Sequence, residues 1–331
     1  AAAALALGAT LLWAGVTIPA TAEEPMLPLH DESGILEPGA KPEKILTEGA
    51  GEGPAWDPEL GLLFSGGDGH IRRLDPQGKL QVFRKDARSN GLLFDRDGSL
   101  LVCEPGQRRV TRMDREGQIK VLTEGYHGQP YNTPNDITVD SRGRIYFSDP
   151  RYGDRSGMQL EDEQGRKVEG VYRIDHDGRV TRIIAHEVDR PNGLVVTPDD
   201  RTLFVADNNN NEQGGPRKLW RFDLKADGTV DAASKQLVYD WGDSRGPDGM
   251  VLDRQGRLYV AGGLNQANEH ETTGKPGGVY VFSPQGKLLL LIPIPVDEVT
   301  NCTFGDDDLK TLYVTAGGTL CFTTTARRTR C

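Results

Sequence analysis

Three observations predict an all-β fold, a six-bladed β-propeller. One sequence unit recurs six times, each copy reads as short apolar strands joined by tight Asp/Gly turns, and no helical periodicity separates the copies. The units begin at Glu52, Asn90, Asn135, Asn192, Asp248 and Asn301. Each opens with a polar residue and four mainly apolar or small residues, then usually an Asp, a short turn and a second apolar run. In five units a second hairpin follows, as in VTRMDREGQIKVL and VYRIDHDGRVTRI. Four antiparallel strands per unit make a propeller blade. A doubly wound α/β fold is excluded, because no amphipathic helical stretch lies between the strands.

The elements follow in chain order. Residues 1–22 carry no charge and end in Ala20-Thr21-Ala22, a small-x-small pattern before Glu23-Glu24. They read as the apolar region and cleavage site of a secretory signal, so the protein is expected to be exported, periplasmic or secreted. Residues 23–42 form a Pro-rich arm, 43–325 the propeller and 326–331 an unstructured tail. The sixth unit has no convincing fourth strand. Lys44-Ile45-Leu46-Thr47-Glu48-Gly49 matches the end of the second unit's fourth strand, Lys120 to Gly125, so the N-terminal segment is expected to close the last blade.

Composition narrows the function. A net charge of −10 over 331 residues argues against nucleic acid, and a mean hydropathy of −0.51 excludes a polytopic membrane protein. No protein partner is evident, and no membrane contact is expected once the signal is removed. The four cysteines form no C-x-x-C pair, and Cys103, in the run Leu100-Leu101-Val102-Cys103, reads as a buried small hydrophobe.

In such a blade the connections fall on two faces. One set is uniformly short, as in DRDG, DSRG and DRQG. The other includes long polar loops at 123–134, 149–169, 208–217 and 262–277, which marks that face as functional. His127, Tyr131, Arg151 and Tyr152 lie in these loops and are candidate substrate contacts. The polar residue opening each inner strand lies at the same face, giving a ring of Glu52, Asn90, Asn135, Asn192, Asp248 and Asn301. Two carboxylates and four amides at one level make a poor core and a good cage for a hard cation. Oxygen-only ligation without His or Cys favours Ca²⁺.

The set Glu52-Gly53-Pro54, Pro134-Asn135-Asp136, Pro191-Asn192-Gly193-Leu194, Pro247-Asp248-Gly249 and Thr300-Asn301-Cys302 resembles the senescence marker protein-30/gluconolactonase/luciferin-regenerating-enzyme-like family. The resemblance spans roughly residues 44–320 and is closest to bacterial gluconolactonases. It implies a six-bladed propeller that holds a divalent metal, commonly calcium, and hydrolyses sugar lactones. By motif the metal ligands would be Glu52, Asn135, Asn192 and Asp248, with Asn90 and Asn301 completing the ring as possible substrate contacts. Asp248 is the expected catalytic residue, as a base toward water, as a nucleophile, or as a ligand alone. Some animal members carry an Arg before the third ring residue; here the stretch is Asn132-Thr133-Pro134, so their substrate details do not transfer.

Two alternatives stand beside the lactonase reading: an arylesterase or organophosphate hydrolase on the same scaffold, and a non-catalytic platform stapled by calcium. Three further motifs are discounted. Gly242-Asp243-Ser244-Arg245-Gly246 matches G-x-S-x-G but lacks the strand–turn–helix setting of a nucleophile elbow, although Ser244 or Arg245 could touch substrate. Asp175-His176-Asp177-Gly178 is a hairpin turn, and Asn301-Cys302-Thr303 is a glycosylation sequon inside an inner strand.

Overall fold

The computed structural model describes residues 31–326. The proposed signal segment 1–22, the first part of the arm and residues 327–331 lie outside that range. The described chain forms six four-stranded antiparallel sheets and a single 3₁₀ turn at Arg155–Gly157. In five sheets the strands run in sequence order, from an inner strand outward. The sixth joins the chain's two ends: Glu43–Ala50 pairs with Gly318–Thr324, beside Thr311–Ala316 and Val299–Gly305. This closure is the one the sequence predicts, and it leaves the last blade as complete as the others. Part of the arm packs beside it. Ile35 is fully buried, Glu37 donates its amide to Thr324 O at 3.1 Å, and Ala326 donates to Ile35 O at 2.8 Å.

Why six copies stack is visible between the blades. The central strands carry apolar residues on both faces, as in Leu100–Glu104, Ile145–Asp149 and Leu258–Gly262, each buried throughout. Neighbouring blades interdigitate these faces; Tyr259, Val281, Phe304 and Leu312 fill the seam between the fifth and sixth. Truncating such a residue costs about 3–5 kcal/mol, the range for a large buried aromatic. Cys103, Cys302 and Cys321 lie in these seams as free, buried thiols. Cys103 therefore has the role the sequence assigns it.

The short-turn face is pinned by a repeated device. Asp140 Oδ1 accepts the amides of Arg142 and Arg144, while its Oδ2 takes Arg144 Nε and the Tyr146 hydroxyl. Asp253 does the same with Gln255, Arg257 and Tyr259. Asp175 likewise holds its own turn and pairs with Arg173, so the Asp175–Gly178 segment is a hairpin.

The opposite face is built differently. In three blades the inner strand proper starts only at Leu92, Ile137 and Met250, two residues after the ring residue. In the others the ladder slips there, between Glu52 and Ala55, Pro191 and Leu194, and Val299 and Asn301. The cause is a change of partner. Gly91 N donates across to Asn135 O of the next blade at 2.7 Å, and Gly249 N to Thr300 O at 2.8 Å. Inner strands therefore touch one another at this level while still pairing outward, as Asn90 N does with Cys103 O at 2.9 Å and Asp248 N with Ala261 O at 2.8 Å. Gly193 shows the crowding: a Cβ there would lie 2.1 Å from Asp248 O.

Candidate metal centre and channel

These circumferential contacts bring the six predicted ring residues together around the axis. Asn301 Nδ2 donates to Glu52 Oε2 at 3.2 Å, closing the last blade on the first. Glu52 Oε2 also accepts from Gly53 N at 2.9 Å. Asn192 donates to Asp248, and its Nδ2 also reaches the Tyr152 hydroxyl. Asn135, Asn192, Asp248 and Asn301 are all buried, and Asn90 Oδ1 is buried with no hydrogen-bond partner among the described residues.

The ring carries more charge than the sequence reading counts. Asp136, next to Asn135, occupies the position that is Gly53, Gly91, Gly193 and Gly249 in four other blades. Its Oδ1 accepts the Ile137 amide at 2.9 Å, and its carboxylate also accepts from Leu194 of the following blade. Burial, together with the charge of Asp248, pushes Asp136 up to about 7. Glu52 stands well above the usual carboxylate range, through burial first and then the charges of Asp248 and Asp136. Asp248 is raised to about 6 by burial, against the pull of Arg245, whose Nη2 donates to Asp248 Oδ2 at 2.7 Å. Of these three carboxylates only Asp248 has a guanidinium beside it.

Among the described residues no three His, Cys, Asp or Glu side chains converge as a ready-made metal cluster. Asp136 adds a third acid, but its carboxylate is taken up by the Ile137 and Leu194 amides, so a cation here would draw on the Asn oxygens as well. The donor set fits a hard divalent ion: it is all oxygen, it has excess negative charge, and it holds an orphaned amide oxygen at Asn90.

The loop residues divide. Tyr152 reaches the ring through Asn192, and the Arg190 guanidinium lies 5.2 Å from the centre of its ring. Tyr131 does not reach it: the side chain is fully buried, packs edge-on against Phe147 and Tyr172, and shares a hydrogen bond with Thr123 Oγ1. It is a core residue with no surface to offer a ligand. His127 is exposed and stacked on Tyr126, whose other neighbours are Tyr172 and Arg182, outside the channel. Arg151 holds its own loop, through its amide on Glu169 and Nε on Asp154 O. Ser244 Oγ accepts the Lys275 amide at 2.8 Å and is buried, so the G-x-S-x-G segment is a loop staple.

On the long-loop face lies an open cavity of about 610 Å³, lined by Gly153, Asn210, Asn211, the segment 268–271 and Glu298. Glu271 and Glu298 were not singled out from sequence. The only signal for Glu298 is its place three residues before Asn301, in a segment outside the repeat.

A propeller whose axial channel is lined by oxygen donors and open to one polar, long-looped face defines the class. Within that class the chain belongs to the SMP-30/Gluconolactonase/LRE-like family, whose model matches residues 50–318. A gluconolactonase of Zymomonas mobilis is 31% identical over 269 residues, covering 79% of this chain and 68% of that protein. A pentonolactonase of Haloferax volcanii is 26% identical over 273 residues, with 81% of each chain covered. The solved structure of a gluconolactonase from Xanthomonas campestris superposes with a TM-score of 0.71 at 28% identity, covering 92% of this chain and 99% of that one.

Proposed function

We propose that this protein is a hydrolase of carboxylic esters that opens sugar lactones, with a divalent cation, Ca²⁺ by donor chemistry, held by Glu52, Asn135, Asn192 and Asp248. The lactone class rests on family membership and on relatives named as gluconolactonase and pentonolactonase. The observation that carries the site is the oxygen-only ring with its surplus of buried carboxylates. When bound, such a cation polarises an ester carbonyl and stabilises the oxyanion.

The chain's own residues supply the rest. Arg245 Nη2 engages Asp248 Oδ2 and Asn192 donates to the same carboxylate, so the two together fix its orientation. Asp248 directs the attacking water or attacks the carbonyl itself. Tyr152 and Asn192 close the channel beside it, and the Asn-rich cavity above suits a hydroxylated ring better than an aryl group. The test is a pH-indicator assay on sugar lactones, phenyl acetate and a phosphotriester, with protein stripped by chelator and reloaded. Calcium-dependent turnover of aldonolactones supports the reading. Faster turnover of the aryl ester or phosphotriester moves the protein to the esterase class.

Export is part of the same reading and rests on residues 1–22. N-terminal sequencing of the native protein tests it: a mature chain starting at Glu23 supports export, and one retaining the apolar segment opposes it.

A further inference from the structure

Asp248 is joined to the wall of the mouth cavity by a chain of charge. Arg245, 4% exposed, donates Nη2 to Asp248 Oδ2 and brings Nη1 to 3.1 Å from Glu298 Oε2. The second contact is an ion pair with poor angles: neither Nη1 nor Nε makes a hydrogen bond among the described residues, although both are buried. Buried donors left unmade carry their full desolvation cost, and a guanidinium has five to satisfy. Glu298, half exposed, lines the cavity together with Asn210, whose Oδ1 is also buried without a partner. Tyr152 lies close enough to sense the charges of both Arg245 and Asp248.

We infer that Arg245 and Glu298 form the subsite for the hydroxyl-bearing side of a neutral sugar lactone, Arg245 donating to a substrate oxygen and Glu298 accepting from a substrate hydroxyl. The inference rests on the lactonase reading. Position supports it, because one end of the guanidinium holds the carboxylate proposed to act on the carbonyl. An oxygen bound at Nη1 or Nε therefore lies one guanidinium's width from that carboxylate. Exposure supports it too: Glu298 is a half-exposed partner in a badly aligned pair, which a ligand can replace at little cost. Charge sets the class. Asp248, Glu271 and Glu298 stand around Arg245 and Glu271 is also paired with Arg217 at 3.4 Å, so three carboxylates meet two guanidiniums and a phosphate or carboxylate on the substrate would meet net repulsion.

The experiment compares kcat and KM for glucono-δ-lactone, unsubstituted δ-valerolactone and a phosphorylated gluconolactone in wild type, Arg245→Gln and Glu298→Gln. Wild type is expected to prefer the neutral hydroxylated lactone. In both variants the kcat/KM ratio of gluconolactone to valerolactone should fall about tenfold or more, because losing a charge-assisted hydrogen bond to substrate removes selectivity for the hydroxylated ring. For Glu298→Gln the loss should appear in KM. A merely structural role would lower both substrates equally and leave the ratio fixed. An unchanged ratio, or a wild-type preference for the phosphorylated lactone, overturns the assignment. Should Arg245→Gln fail to fold, the exposed Glu298→Gln decides alone. Wild-type protein that opens no lactone overturns the lactonase reading itself, a result separate from either.

Discussion

Gly193→Ala tests whether the crowding between inner strands positions the ring. The new methyl carbon would fall 2.1 Å from Asp248 O, 2.9 Å from Gly249 Cα and 3.0 Å from Asp248 C. All three are backbone atoms, so no side chain can swing aside, and ordinary contact requires the fourth and fifth blades to part by more than an ångström. Gly193 has no positive φ, which removes backbone strain from the account. Overpacking of this kind costs about 1–3 kcal/mol. The atom pushed is the carbonyl of Asp248 itself, and a displacement of about 1 Å at a reacting group costs on the order of 10²-fold in rate. Gly178→Ala on the opposite face is the control: its φ is +84° and a Cβ there meets nothing within 4 Å. It should lose roughly 1–2 kcal/mol from the left-handed conformation and keep kcat. Urea titration with steady-state kinetics measures both. Gly193→Ala protein with wild-type stability and turnover would refute the idea that strand contact at this level sets the ring.

Three further expectations follow from the same geometry. Asp248→Asn should keep the fold and some calcium affinity while kcat falls on the order of 10²–10⁴-fold; turnover within a few-fold of wild type would reduce Asp248 to a ligand. It should also melt lower than wild type, because buried Arg245 loses its carboxylate partner. Calorimetry on chelator-treated protein should show one Ca²⁺ bound and a raised melting temperature, with Glu52→Gln weakening uptake more than Asn90→Ala; no divalent-ion uptake would dismiss the site. Without metal, Glu52, Asp136 and Asp248 keep their protons to higher pH in the folded state than in the unfolded one. The contribution of Asp248 and Asp136 is thus fully present below about pH 4 and is lost as pH rises through about 6 to 7, and Glu52 acts in the same direction. Thermal melts in chelator should show this decline, Asp136→Asn should flatten it, and calcium should reverse it; a slope unchanged in Asp136→Asn would place that carboxyl's titration elsewhere.

What could be read from sequence tracks what repeats. Six copies of a hairpin pattern, and one strand at the wrong end of the chain, were enough for the architecture and its closure. The ring residues were legible for the same reason, since they stand in phase. Asp136 was missed because it is a departure from the repeat, an acid where four blades have glycine, and beside Pro134-Asn135 it resembles a turn residue. Tyr131 and Tyr152 show the limit more sharply. Both are aromatic residues in polar loops of the same face, yet one is a core residue and the other touches the ring. The direction of a side chain in an irregular loop depends on which neighbours the loop folds against, and no local period encodes that. Arg245 was visible only inside a misleading G-x-S-x-G match, and its role depends on Glu298, far along the chain in a segment outside the repeat.

The electrostatics and the rigidity of the channel have to be considered together. Three carboxylates in a buried channel repel one another, and in a flexible site they would splay apart or take in water. Here the inner strands are locked to one another by backbone hydrogen bonds such as Gly91 N to Asn135 O, and the far ends of the blades are pinned by Asp–Arg pairs at the turns. Glu52 is further tied by Asn301 and Gly53, and Asp136 by Ile137 and Leu194. Relief by movement is therefore closed off, and the repulsion must be met by positive charge. Arg245 supplies one such charge from the side. Protons supply more at low pH: burial first, and then the charge of Asp248 at Glu52 and Asp136 and of Glu298 at Asp248, hold all three carboxyls above their ordinary range. On the proposed reading a cation on the axis supplies the rest, where the amide oxygens of Asn90, Asn135, Asn192 and Asn301 stand at the same level. A scaffold that keeps under-compensated acids at its centre suits a compensating cation, and on the proposed reading that cation would be placed to polarise an ester carbonyl arriving from the loop face.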